Sequence, residues 1–193
     1  GIDDILKKTG PAHFKSQMMC EPVNINESTL DSTALRYYDD DVVYQEAGGK
    51  PILTLGGRKI VAVSAWWDPA FGKDGGDRSI LAIIYCDDVG EYWLHHLAQI
   101  TIDKNSHEDE ASQQCKQVAE LVNRFYAPSV ALETNGLGKF LPGVLRRELG
   151  VMGVACGINE ITSRRPKVIR IIEAFDAVLA ARALHVRRGV LQT

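Results

Sequence analysis

Cysteines at metal-binding or redox spacing are missing from this chain. Its four, Cys20, Cys86, Cys115 and Cys156, are scattered without a CxxC, which argues against a zinc knuckle and for reduced thiols in a cytosolic setting. Long apolar runs are missing too: none approaches the roughly 20 residues of a membrane span. The start GIDDILKKTG lacks a signal-peptide pattern, so no membrane partner is expected. There is no phosphate loop of the GxxxxGK-Ser/Thr type, no internal repeat and no low-complexity segment. No Ser, His and Asp occur in an order that a nucleophilic triad would need. What is present is ordinary for one soluble domain with a real core: 193 residues, 45% hydrophobic and 24% charged.

The net charge of −3 conceals an asymmetry. Residues 1–50 carry five Lys/Arg against nine Asp/Glu, and residues 51–138 carry seven against twelve. Residues 139–193 carry ten against four. A basic end beside an acidic middle suits a protein that grips a polyanion and keeps carboxylates for a metal. Basic residues that merely decorate helices would give the same balance.

Residues 1–57 read as an irregular arm, since prolines, polar residues, "EAGGKP" and "LGG" sustain no period. From Arg58 the pattern sharpens into three strands, over 59–67, 79–87 and 91–100, with tight connections that predict an antiparallel meander. A helix of about 20 residues follows, with Ala111, Cys115, Val118, Ala119, Val122, Phe125 and Tyr126 on one face. Ser106 and Asp109 resemble a capping box at its start. Pro128 ends it, and "SVALE" (129–133) is a short buried strand. A helix over 137–149, a strand within "VMGVACGI" and a helix over 166–182 complete the order β-β-β-α-β-α-β-α. That order predicts an α/β fold, a mixed sheet with helices on both faces. His95 and His96, adjacent within a strand, should point to opposite faces and so cannot share an ion.

In this topology the first and fourth strands can lie side by side, each ending on an acid: Asp68 after "VSAWW" and Glu133 after "SVAL". Ligand sites in such sheets gather at carboxyl ends of strands. Two carboxylates brought together repel unless a cation lies between them. Oxygen donors without His or Cys point to Mg²⁺ or Mn²⁺, and two such ions ~3.5–4 Å apart can hydrolyse a phosphodiester. Pro69 restricts Asp68 to extended geometry, and Ala70, Gly72, Gly75 and Gly76 let backbone approach a bulky ligand. Taken singly, "DPA" and "ETNG" are common loop chemistry; the pairing gives them weight.

"WWDPAFGKDGGDRSILAII", "VALETNGLGKFLPGVLRREL" and "RRPKVIRIIEAF" occur in this order over residues 58–190. Together they resemble the nuclease domain of the large terminase subunit of tailed bacteriophages. The arm segment "GPAHFKSQMMCEPV" is similar to the stretch that leaves that family's ATPase domain. The resemblance implies an RNase H-like fold and a two-metal endonuclease that cuts concatemeric double-stranded DNA during genome packaging in the host bacterial cytoplasm. It implies Asp68 and Glu133 as catalytic metal ligands, with Asp77 as a supporting acid. Lys139, after the Glu133 turn, and the cluster Arg164, Arg165, Lys167 and Arg170, at the start of the last expected helix, fit the same picture as contacts to DNA phosphates, with a solubilising helix face as the alternative.

On this reading residues 1–57 are a linker from an absent ATPase domain, and 58–193 are the nuclease domain. A third acid of the family would lie beyond the chain end, and neither Glu173 nor Asp176 on the last helix is expected to replace it. The whole protein would meet an ATPase domain, a portal and a small terminase subunit; the isolated chain is expected to be a monomer. A Holliday-junction resolvase, an RNase H-type nuclease and a non-catalytic DNA-binding or portal-docking module remain alternatives.

Overall fold

The computed structural model describes residues 34–71, 78–134, 139–162 and 181–190. Among the described residues nine strands form a single mixed sheet, and the longest of them organises it. This is β4 (Arg58–Asp68), whose eleven residues pair with three different neighbours. Its start pairs antiparallel with β3 (Lys50–Leu55), and β5 (Ser79–Asp87) runs antiparallel along most of its length. Its end pairs in parallel with β7 (Ser129–Glu133). Beyond β5 lies β6 (Tyr92–Ile100), again antiparallel, and beyond β7 lies β8 (Gly157–Ile161), in parallel. The expected meander followed by parallel crossovers is therefore present. The fold class is α/β, a mixed sheet with antiparallel and parallel strands.

Burial alternates along the central strands because successive side chains leave opposite faces. Trp67, Leu81, Ile83, Tyr85, Val130 and Leu132 are wholly buried and share one face, where their partners in register lie beside them. Helix α1 (Glu110–Arg124) and helix α2 (Leu141–Met152) pack together on that face, with Cys115, Val118, Leu141 and Leu145 joining the same core. Each large side chain removed from water there contributes roughly 1.5–3 kcal/mol. Trp67 also places its Nε1–H on Ser79 Oγ at 2.9 Å, so its one polar atom is satisfied. Among the described residues no helix is long and apolar enough to cross a membrane.

Several expectations change. Residues 36–55 are not an irregular arm: they hold β1 (Arg36–Tyr38), β2 (Val42–Ala47) and β3. Gly48-Gly49 and Gly56-Gly57 all have positive φ, between 55° and 77°. That is the geometry of two-residue hairpin turns, which only glycine adopts without strain, so the "GG" pairs join strands rather than interrupt them. A further strand, β9 (Leu184–Arg187), lies in parallel between β1 and β6. Arg182, with φ 52°, belongs to the turn before β9 rather than to a helix; the rest of the expected last helix, 166–180, lies outside the described residues.

Helix α1 has 15 residues rather than about 20. Its cap is Asp109, which accepts from Ser112 N–H at 2.9 Å, while Ser106 Oγ accepts from Glu108 N–H in the preceding turn. The box read at Ser106 thus lies one turn too early. Val151 and Met152 belong to α2, and the strand expected at "VMGVACGI" begins at Gly157.

His95 and His96 do not point to opposite faces. The β5–β6 register shifts so that Ile83 pairs with His96 and Ile84 with Leu94, which leaves His95 as the extra residue of a bulge. Both imidazoles pack on Phe125, with ring centroids 5.6 and 4.7 Å away. A bulge resets the alternation that the sequence argument relied on.

Candidate active site

The parallel register of β4 and β7 matches Ala65 with Val130, Trp66 with Ala131 and Trp67 with Leu132. The next residues along the two strands are Asp68 and Glu133, both half-buried and both the last of their strands. Neighbouring strands lie about 4.8 Å apart, so the main chains at these acids are close. Trp67 and Leu132 enter the helix-side core. One step on, Asp68 and Glu133 leave the opposite face, on which Trp66 is 40% exposed. The first meander strand and "SVALE" thus lie side by side in parallel, as the sequence predicts.

The ground under each acid is firm. Asp68 remains in the ladder with β5, opposite Ile80. Beyond it, Gln114 of α1 donates from Nε2 to the carbonyl of Ala70 at 3.0 Å. Glu133 remains in the ladder with β8, opposite Ile161, and Thr134 N–H continues the pairing to Ile161 O at 3.0 Å. The two chain segments that leave the acids meet again: the Phe71 and Phe140 rings lie 5.7 Å apart, tilted by 40°. Phe140 precedes α2, whose second residue is Pro142, suited to a first helical turn that offers no partner to its N–H.

Lys139 lies just before Phe140 and is exposed. Asp77, Arg164, Arg165, Lys167 and Arg170 lie outside the described residues. Among the described residues no three or more His, Cys, Asp and Glu side chains gather as a metal site. The donors that the described chain brings to this spot are the two carboxylates. Hard oxygen donors of this type fit Mg²⁺ or Mn²⁺ and give no soft ligand for zinc or copper.

Gln114, Phe71 and Phe140 are the features of this region that sequence reading passed over. Gln114 had a visible signal: it lies three residues after Ala111, one before Cys115 and four before Val118, so it is a polar residue inside an apolar stripe. The phenylalanines had none, since their meeting joins two positions far apart in the chain.

No protein-family description and no curated protein matches the sequence. Solved structures do. The nuclease domain of the large terminase subunit of bacterial virus Sf6 is similar over 52% of this chain, at 14% identity and a TM-score of 0.39. The match spans 37% of that domain's own chain. A mutant of the same Sf6 subunit, solved with calcium, is similar over the same 52%, again at 14% identity and 0.39, covering 38% of its chain. RuvC of Thermus thermophilus is similar over 62% of this chain and 95% of its own, at 16% identity and 0.39.

Proposed function

We propose that this chain is a divalent-metal-dependent DNA endonuclease, the nuclease part of a viral genome-packaging terminase. The observation that carries the reading is the adjacent register of Asp68 and Glu133 at the ends of two parallel strands, on one face of the sheet. Oxygen donors at the carboxyl ends of two adjacent parallel strands are suited to holding a hard divalent cation. The family resemblance of the sequence motifs and the mixed α/β sheet support the same reading.

Asp68 and Glu133 would hold the cations, Mg²⁺ or Mn²⁺, with Asp77 as a supporting acid. When bound, such ions supply Lewis acidity to the attacking and leaving oxygens of a phosphodiester. The chain's own work is placement. The β4–β7 ladder fixes the spacing of the carboxylates, and Pro69 keeps Asp68 extended at the strand end. Lys139, exposed after the segment that follows Glu133, offers a point charge to a DNA phosphate. Arg164, Arg165, Lys167 and Arg170 extend the same backbone contact. Double-stranded DNA is the proposed substrate and is gripped through phosphates, without base readout. In a whole terminase an ATPase domain, a portal and a small subunit would govern access to the site.

Supercoiled-plasmid cleavage in Mn²⁺ tests this, comparing the chain with Asp68→Ala and with an EDTA control. Nicking and linearisation that disappear in both controls are the expected result. Cleavage that survives Asp68→Ala would remove this site from the chemistry. Retardation of the plasmid on a gel without cleavage would leave a DNA-binding module. Parallel reactions on an RNA–DNA hybrid and a four-way junction separate the terminase reading from an RNase H or a resolvase.

A further inference from the structure

Gln114 is wholly buried on α1, among Ala111, Cys115 and Val118. Its amide is only half satisfied: Nε2 donates to Ala70 O at 3.0 Å, while Oε1 has no hydrogen-bond partner among the described residues. Leaving an acceptor buried and unpaired destabilises the fold, and an apolar side chain of the same length would remove that penalty. The surrounding stripe of Ala, Cys and Val shows that apolar residues suit this part of the helix face. What the amide supplies in return is one bond, to the main chain two residues after Asp68.

That bond acts on a short lever. Before Asp68, the chain is held by ladders to β5 and β7. After it, Pro69 restricts the backbone to a narrow range, and Gln114 anchors the next carbonyl to α1. The following residue, Phe71, meets Phe140 at 5.7 Å, and Phe140 lies seven residues after Glu133. Phe140 is 51% exposed, so the ring gains little from burial. Its contact instead joins the segment leaving one acid to the segment leaving the other.

We propose that Gln114, together with the Phe71–Phe140 ring pair, is a positioning clamp that sets the relative placement of Asp68 and Glu133 for cation binding. The inference rests on the reading of those two carboxylates as the metal-holding pair. None of the three residues touches substrate or ion. They act through the main chain after Asp68 and through the contact of the two rings. Outer supports of this kind typically change metal affinity by about 10–100-fold when removed.

The test uses the full chain and Mn²⁺ itself, read by the loss of the free-ion electron paramagnetic resonance signal. Thermal melting is recorded on the same samples. Gln114→Met keeps length and volume, deletes the donor and also deletes the orphaned acceptor. The expected result is a melting temperature equal to or above that of the parent chain, with Mn²⁺ half-saturation raised about tenfold. Affinity and stability then move in opposite senses, which a merely structural glutamine would not produce.

Phe140→Ala, at an exposed position, is expected to weaken Mn²⁺ binding in the same direction while the fold persists. It keeps the test decisive if the glutamine variant does not fold. Parent-like Mn²⁺ affinity in either folded variant would overturn the clamp, as would a fall in melting temperature that tracks the fall in affinity. Asp68→Ala runs alongside. If the parent chain binds no Mn²⁺, or binds it as well after Asp68→Ala, the metal reading itself fails and the clamp falls with it. Loss in Asp68→Ala without loss in Gln114→Met and Phe140→Ala sinks the clamp alone.

Discussion

His95 is a buried imidazole, 1% exposed, with a partner on each ring nitrogen. A guanidinium can only donate, so Nε2 accepts from Arg187 Nη1 at 3.4 Å. Nδ1 then carries the proton and donates to Tyr38 Oη at 3.0 Å, and the tyrosine hydroxyl donates onward to Leu94 O at 3.4 Å. Arg187 is itself paired with Asp41. Burial first, and then the Arg187 charge, pulls the His95 pKa down to about 4, with Asp41 offsetting part of the shift.

Since the unfolded ring titrates near 6.5, the unfolded chain binds more protons between pH 6.5 and 4. Stability is therefore full above about pH 6.5 and falls as the pH is lowered, by about 3 kcal/mol once the pH is below 4. Urea midpoints measured from pH 7 to 4 should show this decline. His95→Gln, which can still accept from Arg187 and donate to Tyr38, should flatten it. Some slope will remain, because burial also lowers the pKa of His96. An unchanged slope in His95→Gln would refute the neutral-histidine assignment. At this scale the sequence showed the acids, since Asp68 and Glu133 each end an apolar run. It could not show the histidine environment, because the bulge that brings both rings onto Phe125 depends on pairing with a strand that local alternation does not reveal.

Elements with a strong period and clear stops were legible: β5 over 79–87 and β7 over 129–133 match their expected bounds. β2 and β3 were not, because their burial does not alternate. Most of β2 is exposed on both faces, so hydrophobic patterning had nothing to mark. The glycine pairs were the surviving signal, and they needed to be read as turns. β9 was hidden because four residues are too few to show a period.

Helix α1 illustrates a half-legible boundary. An acidic start was visible, but several acids and serines competed for the cap. Asp109 holds it through Ser112 N–H at 2.9 Å and also accepts from Ser112 Oγ at 2.7 Å. Those hydrogen bonds from Ser112 hold the Asp109 carboxyl below its ordinary pKa. Asp109→Ala should lower unfolding stability by about 1 kcal/mol, and Ser106→Ala should have a far smaller effect. Equal losses in chemical denaturation would return the cap to Ser106.

Across the whole molecule, stability should grade from the centre of the sheet to the hairpin at its side. β4 and β5 carry the wholly buried Trp67, Leu81, Ile83 and Tyr85, so their amides open only with the entire core. Among the described residues β2 has β3 as its only sheet neighbour, and β3 meets β4 only at Leu53, Thr54 and Leu55. The base of this hairpin is anchored, since Leu55 is fully buried and Val42 and Leu53 pack on the core. Its tip is not. Glu46 pairs with Pro51, which has no N–H to give, and Ala47 and Lys50 flank an exposed glycine turn.

Hydrogen exchange followed by mass spectrometry or NMR should therefore find Ile83–Tyr85 the slowest, Leu53–Leu55 intermediate and Gln45–Ala47 the fastest. β9 adds a second test of the same gradient. It is inserted in parallel between β1 and β6 and ties residues 36–38 to the core through Tyr38 and His95. Its central amides should exchange with the core rather than with the hairpin tip. Fast exchange throughout β9 would mean that the parallel insertion opens independently, and that the His95–Arg187 contact does not persist in solution.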